Sequence, residues 1–249
     1  MMKAAQFWAT GDYATVGDLW SQPGRDLPAR LSVTGKDVVD LATGTGVTAI
    51  AAARAGAGAV TGVDVTPSLL VEARRRAGDL PIRWVEADVT ALPLPDDSAD
   101  LAVSTFGMVF AEPGSAFGEA RRIVRPGGRV VTTSWSEEGF FGRLRRTLAP
   151  YAPDAPEPWH ENAVGIRNVL GPGAEVAEAS FVMTVASPED FVEMLERHSA
   201  PIVLLSRGIG EQWLTARQAL VDLAATSGTW QGDQFEIVVS YLITSISVE

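Results

Sequence analysis

The chain has 249 residues, 31 acidic against 20 basic for a formal net charge of −11, with 46% hydrophobic residues and a mean hydropathy of +0.11. That is enough for one large domain, or one domain with a covering elaboration, without a disulfide or metal staple. Cysteine is absent, which excludes disulfide scaffolds, thiolate zinc sites, iron–sulfur clusters and cysteine nucleophiles. Residues 1–149 hold 16 basic and 17 acidic side chains, whereas residues 150–249 hold 4 and 14. With the charge so placed and no basic run beyond Arg74-Arg75-Arg76, no nucleic-acid partner is expected. A neutral or cationic small molecule is easier to accommodate. No stretch reaches the roughly 18 consecutive apolar residues of a membrane span, and the residues after Lys3 are too polar for a signal core. A soluble, cytoplasmic protein with no membrane partner is therefore expected.

In chain order, an aromatic-rich stretch comes first: Phe7, Trp8, Tyr13 and Trp20 suggest a helical cover over residues 1–35. Between 36 and 135, short apolar runs alternate with helical stretches. Strands are expected at 37–41, 59–64, 82–86, 100–105 and 129–135, and helices at 47–55, 67–77 and 115–124. Such alternation is the pattern of a parallel sheet covered on both faces. Thr66-Pro67 supplies an N-cap and a first-turn proline, and Arg125-Pro126-Gly127-Gly128 ends a helix with a turn back to the sheet. After Ser136 the alternation stops. Four prolines within 148–158 exclude a continuous helix there and suggest an ordered loop or cover. Two further strands, 176–185 and 235–245, are separated by helical patterns near 188–198 and 210–225. The expected fold is α/β: a Rossmann-like doubly wound sheet, mostly parallel, with an antiparallel C-terminal edge strand and a helical and loop cover.

The segment Val38-Val39-Asp40-Leu41-Ala42-Thr43-Gly44-Thr45-Gly46-Val47 runs from a strand through a glycine-rich turn into a helix. Glycines let a ligand lie against main-chain N–H groups and the helix N-terminus. Gly44-x-Gly46-x-x-Ala49 fits the dinucleotide fingerprint, and Asp64 ends the next strand, where a ribose-binding acid belongs. Asp40, however, stands inside the first strand, where a carboxylate opposes a pyrophosphate and favours an ammonium or sulfonium. Asp88 follows the third strand and can accept from an exocyclic amino group. Three carboxylates after three strands, with no Arg or Lys in the loop, suit a cationic adenosyl ligand better than a dinucleotide.

At these residues the sequence resembles the class I S-adenosylmethionine-dependent methyltransferases, in the branch of the ubiquinone/menaquinone-biosynthesis and natural-product small-molecule enzymes. The resemblance rests on Asp40-Leu41-Ala42-Thr43-Gly44-Thr45-Gly46, with Ala42 where many members have Gly, and on Gly62-Val63-Asp64-Val65-Thr66-Pro67. Ala87-Asp88-Val89-Thr90, Asp100 to Gly107 and Arg121 to Gly128 continue it in order. It implies S-adenosyl-L-methionine as cofactor, S-adenosyl-L-homocysteine as product, and a small, partly apolar acceptor. The cofactor residues it implies are Asp40, Ala42, Thr43, Gly44, Thr45 and Gly46 in the loop, Asp64 and Val65 at the ribose, and Leu69, Asp88 and Val89 at adenine. Thr105 and Phe106 would lie by the sulfonium. Residues 36–249 would form the methyltransferase domain, with 136–170 and 186–232 as an acceptor-side cover.

Trp8, Tyr13, Met108 and Phe110 are candidates for acceptor binding. No catalytic residue is evident from the sequence; His160, beside the proline-rich cover, and Tyr13 are the candidates for a general base if the nucleophile is a hydroxyl or carbon acid. His198 reads as a helix-end residue. The run after the fourth strand, Ser104-Thr105-Phe106-Gly107-Met108, lacks the Asn/Asp-Pro-Pro-aromatic signature of amino-methylating DNA enzymes and the carboxylates of metal-dependent catechol enzymes. No metal is expected. The sequence leaves open the nucleophile atom and the oligomeric state. Also open are a cofactor-binding protein of this fold doing other chemistry, such as cyclisation, and a nicotinamide-dependent oxidoreductase.

Overall fold

The computed structural model describes residues 4–249; Met1, Met2 and Lys3, part of the expected N-terminal cover, lie outside the described residues. The chain opens with α1 (Ala4–Trp8), α2 (Tyr13–Val16), a 3-10 turn at Gly17–Trp20, and α3 (Gln22–Arg30). An alternating stretch follows: β1 (Asp37–Leu41), α4 (Val47–Arg54), β2 (Ala59–Asp64), α5 (Pro67–Ala77), β3 (Ile82–Glu86), β4 (Ala99–Thr105), α6 (Pro113–Ile123) and β5 (Val124–Trp135). The rest comprises α7 (Phe140–Leu148), α8 (Ala163–Leu170), β6 (Glu175–Val185), α9 (Pro188–His198), α10 (Ala200–Ile209), α11 (Trp213–Ser227), β7 (Gly228–Gln231) and β8 (Gln234–Ser247).

The strands form one sheet in the order β3-β2-β1-β4-β5-β8-β6, with β7 also paired to β8. β1 to β5 are mutually parallel, whereas β8 runs antiparallel to β5, β6 and β7. The C-terminal strand is thus antiparallel as expected, one place in from the edge, which β6 occupies. Strand order reverses between β1 and β4, and in open α/β sheets ligands bind at the carboxyl ends of the strands flanking such a switch.

Alternation along the strands sorts the apolar side chains between two faces. Val38, Val60, Leu101, Val103 and Val131 pack with Leu27 and Leu31 of α3 and Ala49 and Ala52 of α4. Val39, Val63, Ala102 and Val130 pack with Ala116, Phe117, Ala120 and Ile123 of α6 and Ile166 and Leu170 of α8. A third cluster joins β6 and β8 to α7, α9, α11 and the N-terminal turn through Phe140, Phe191, Leu195, Met183, Ile237 and Val16. The Arg125-Pro126-Gly127-Gly128 segment lies within β5, where its register against β4 shifts. Gly127, at φ +83°, donates its N–H to the Val248 carbonyl.

Three helices, α7, α8 and α10, and the short β7 are additions to the expected elements. They fall where prolines or short apolar runs blur the helical period. Among the described residues no helix is long and apolar enough to cross a membrane.

Candidate active site

The glycine turn between β1 and α4 is held by two carboxylates. Asp40 is 1% exposed, and its Oδ2 accepts from Thr43 Oγ1 at 2.5 Å and from the Ala49 N–H at 3.0 Å. It thereby ties the turn to the first coil of α4. Burial without a cationic neighbour makes it a weaker acid, its pKa pushed up to about 7. At the end of β2, Asp64 accepts from the Gly44 N–H and the Thr66 N–H, each at 2.8 Å. Each oxygen of Asp64 thus holds one backbone donor. A carboxylate has about four acceptor sites, so capacity for a ribose hydroxyl remains. Burial raises Asp64 as well, against the lowering effect of these backbone N–H groups.

Gly44, at φ +55°, leaves room where a Cβ would stand, which would make only an ordinary van der Waals contact with the Tyr13 ring at 3.6 Å. Gly46, at φ +81°, is needed for a different reason. A Cβ there would meet the Trp84 ring at 2.7 Å, and one on Gly62 would meet the same ring at 2.5 Å. Gly46 therefore makes room for Trp84 behind the turn and does not line the cavity. Ala42 adopts φ +54°, a conformation that costs an alanine about 1 kcal/mol. Its methyl occupies the space beside Gly107, where a further Cβ would approach within 2.6 Å.

A cavity of about 420 Å³ opens over the ends of β1, β2 and β4, within the range of small-molecule sites. Of the expected cofactor residues, Asp40, Ala42, Thr43, Gly44, Thr45, Asp64, Val65, Leu69, Asp88, Val89, Thr105 and Phe106 line it. Asp88 is exposed, and its Oδ1 accepts from the N–H and hydroxyl of Thr90 at 2.9 and 2.7 Å. Phe106 carries φ +57°, an uncommon backbone state for an aromatic residue at the end of β4. Its N–H donates to Thr133 Oγ1 at 3.1 Å, and its ring stacks on Trp135 with centroids 3.7 Å apart.

The other end of the cavity is aromatic. Trp8, Tyr13 and Phe110 line it together with Trp20. Trp8 meets Phe110 at 5.3 Å and Tyr13 at 6.0 Å, so the N-terminal segment reaches the loop after β4. Tyr13 accepts from Trp20 Nε1 at 3.3 Å, and burial raises its phenol above the ordinary range. Gly11, at φ +79°, lies against the His198 carbonyl, which accepts the Asp12 N–H at 3.2 Å. The N-terminal segment is thus anchored on the end of α9, where His198 has no access to the cavity.

Two candidates lie off the cavity. Met108 is 1% exposed and packs in the core under α6. His160 is buried behind Phe110, ring centroids 5.9 Å apart, with Nδ1 unpartnered. Burial pulls its imidazole down to about 4, so it stays neutral at physiological pH, and it does not line the cavity. The lining side chains come from residues 4–112; segments 136–170 and 186–232 stand behind the walls, as Phe141 does behind Trp20.

Trp20, Ser21, Gly24, Thr48 and Glu112 also line the cavity, beyond the residues that the sequence motifs single out. Gly24 carries a recognisable signal, a glycine inside a helix: a Cβ there would meet Thr48 Oγ1 at 2.8 Å. Among the described residues no cluster of three His, Cys, Asp or Glu could hold a metal ion.

The methyltransferase-domain family matches residues 38–128. The Mycobacterium tuberculosis protein Rv1403c is 40% identical over 156 residues, which are 61% of this chain and 57% of that protein. Demethylmenaquinone methyltransferase of Thermus thermophilus is 39% identical over 133 residues, 51% of this chain and 60% of that enzyme. The chain therefore spans little more than half the length of these relatives. The YcgJ protein of Bacillus subtilis shares the fold with a TM-score of 0.59 at 18% identity, over 91% of this chain and 98% of that one. S-adenosylmethionine is the cofactor that the carboxylates, the open Gly44 and the cavity fit. Residues 38–128 thus match a methyltransferase domain, set in a sheet whose fold the YcgJ protein shares.

Proposed function

We propose that the chain transfers the methyl group of S-adenosylmethionine to a small, partly apolar metabolite. The observation that carries this reading is the single cavity joining the Asp40, Asp64 and Asp88 strand ends to an aromatic chamber. When bound, the cofactor supplies an electrophilic methyl on a sulfonium for in-line displacement. Asp64 and Asp88 would take the ribose and adenine, while the Gly44 turn and Asp40 would face the methionine part. Leu69 and Val89 would enclose the adenine ring. Trp8, Tyr13, Trp20, Phe106 and Phe110 exclude water and hold the acceptor in line. Alignment in a dry pocket of this kind supplies roughly 7–11 kcal/mol over the bimolecular reaction. Segments 136–170 and 186–232 would tune acceptor choice from behind these walls.

The test is mass spectrometry of the ligand that co-purifies with the protein, followed by a methyl-transfer assay over a small-molecule panel. The expected ligand is S-adenosylmethionine or S-adenosylhomocysteine, with methylated product formed from at least one panel member. A co-purifying dinucleotide with hydride transfer would replace this reading, and turnover without methyl loss from bound cofactor would restrict it to binding.

A further inference from the structure

The basic run Arg74-Arg75-Arg76 closes α5, and none of the three lines the cavity. Arg75 is exposed and stays on its own helix, its Nε and Nη2 donating to the Glu72 carboxylate at 2.7 and 2.6 Å. Arg76 reaches away from the helix. Its Nη1 and Nη2 donate to the two oxygens of Asp18 at 2.6 and 3.1 Å, Nη2 donates also to the Ala14 carbonyl at 3.1 Å, and Nε is steadied by Glu72 at 2.7 Å. The guanidinium fork thus meets both oxygens of one carboxylate, the geometry in which such a pair is strongest and most directional.

These bonds join two walls of the site. α5 follows Asp64 by way of Thr66-Pro67 and supplies Leu69 to the cavity. Ala14 belongs to α2 and Asp18 to the 3-10 turn after it, and each directly follows a lining residue, Tyr13 and Gly17. The inner side of this stretch is fixed by Val16 and Trp20, both buried in the apolar cluster of β6, β8 and α9. Arg76 fixes its outer side. The Tyr13 ring is packed so closely on Gly17 that a Cβ there would come within 2.9 Å of it, and it lies 3.6 Å from the place a Cβ would take on Gly44. Tyr13 therefore borders the glycine turn against which the methionine part of the cofactor would lie.

We propose that Arg76 is a positioning residue for the cofactor, holding Tyr13 over the glycine turn through Ala14 and Asp18 and so slowing the escape of bound ligand; this rests on the methyl-transfer reading. No part of the guanidinium touches the ligand. Loss of the fork leaves Val16 and Trp20 in the core, so the fold survives while Ala14, Asp18 and the adjoining ring gain freedom. A ligand packed against an ordered ring leaves only when the ring gives way, so the effect falls mainly on the dissociation rate.

The test uses the full chain with S-adenosylhomocysteine as probe, after melting curves confirm that each variant is folded. Dissociation of tritiated ligand, chased with excess unlabelled compound, should be about 5-fold faster in Arg76→Ala and about 3-fold faster in Asp18→Asn. Arg75→Ala, which removes a neighbouring charge and its bonds to Glu72 but leaves the fork, should stay within about 1.5-fold of the parent. Tyr13→Ala should itself speed release about 5-fold or more, and adding Arg76→Ala to it should change the rate by less than about 2-fold, since the two act as one unit. Release unchanged in both Arg76→Ala and Asp18→Asn would overturn the proposal. So would equal effects of Arg75→Ala and Arg76→Ala, or a full effect of Arg76→Ala in the chain without the Tyr13 ring. A folded parent that binds no S-adenosylhomocysteine counts against the methyl-transfer reading. Amide exchange in the ligand-free chain then decides the positioning role: residues 13–20 should exchange about 5-fold faster in Arg76→Ala, and unchanged exchange would overturn it.

Discussion

Residues 36–135 and residues 136–249 both supply strands to the same sheet, yet they carry different kinds of information. In the first region, three strands end in carboxylates that hold turns or helix starts while facing a cavity, so short stretches of sequence carry both structure and chemistry. In the second, the side chains contribute Phe140, Phe191, Leu195, Met183 and Ile237 to a large apolar cluster, and none lines the cavity. The surface there is strongly acidic, with 14 acidic against 4 basic side chains in 150–249. A cofactor site is thus built from local motifs, whereas the region that backs it is held by non-local packing with looser demands on each position.

The largest expected effect tests whether the second region is a structural backing. Phe191 is 1% exposed and packs on Phe140 at 5.4 Å. Phe191→Ala should cost about 3–5 kcal/mol of stability, read by denaturant unfolding. Cofactor affinity of the folded fraction should stay within about 3-fold of the parent, since a 3-fold change is only about 0.7 kcal/mol. A large loss of affinity at full folding would erase the distinction between the regions.

Two buried titrating groups, one in each region, should pull stability in opposite directions. Asp40 is pushed from 3.8 to about 7, so between about pH 4 and 7 the native state holds a proton that the unfolded chain has lost. Stability from this group is complete below about pH 4 and is lost as pH rises through 7, by at most about 4 kcal/mol. His160 is pulled from 6.5 to about 4, so the unfolded chain takes up the extra proton and stability falls as pH drops from about 6.5 to 4. Thermal melts of Asp40→Asn and His160→Gln across pH 4–8 should remove these slopes one at a time. Unchanged slopes in both variants would contradict the burial that defines the two sites. His160→Gln should also leave turnover within about 5-fold at saturating acceptor, because the imidazole lies outside the cavity.

The smallest effect concerns the turn itself. Ala42→Gly relieves a positive φ but frees the unfolded chain, so the two contributions nearly cancel and stability should rise by no more than about 1 kcal/mol. A clear loss would mean that the methyl beside Gly107 packs favourably enough to outweigh the strain.

These contrasts explain what was legible in the sequence. β1 to β3 and α5 coincide with their expected ranges because apolar runs of strand length end at turn residues and Thr66-Pro67 marks a helix start. Asp40, Asp64 and Asp88 were legible because each carboxylate stands at a strand end in a recognisable local order. Gly46 reads as a ligand contact in the sequence, whereas its space belongs to Trp84, a packing relation between β3 and the turn that no local pattern contains. Trp20 and Ser21 reach the cavity through a 3-10 turn whose position depends on the anchoring of Gly11 and Asp12 against α9. Met108 and Phe110 are two residues apart in one short 3-10 turn, yet one enters the core and the other the chamber. Helices α7, α8 and α10 escaped because their apolar faces are defined by partners distant in sequence.

Asp64 is the residue on which the account turns, since it joins the glycine turn to the proposed ribose site. Titration calorimetry of S-adenosylmethionine into the parent chain, Asp64→Asn and Asp64→Ala, each verified as folded by circular dichroism, tests this directly. The parent should bind at one site. Asp64→Ala should weaken binding by about 30-fold or more, corresponding to about 2 kcal/mol for a lost charge-assisted hydrogen bond, with Asp64→Asn in between. Unchanged affinity in a folded Asp64→Ala variant would contradict the account.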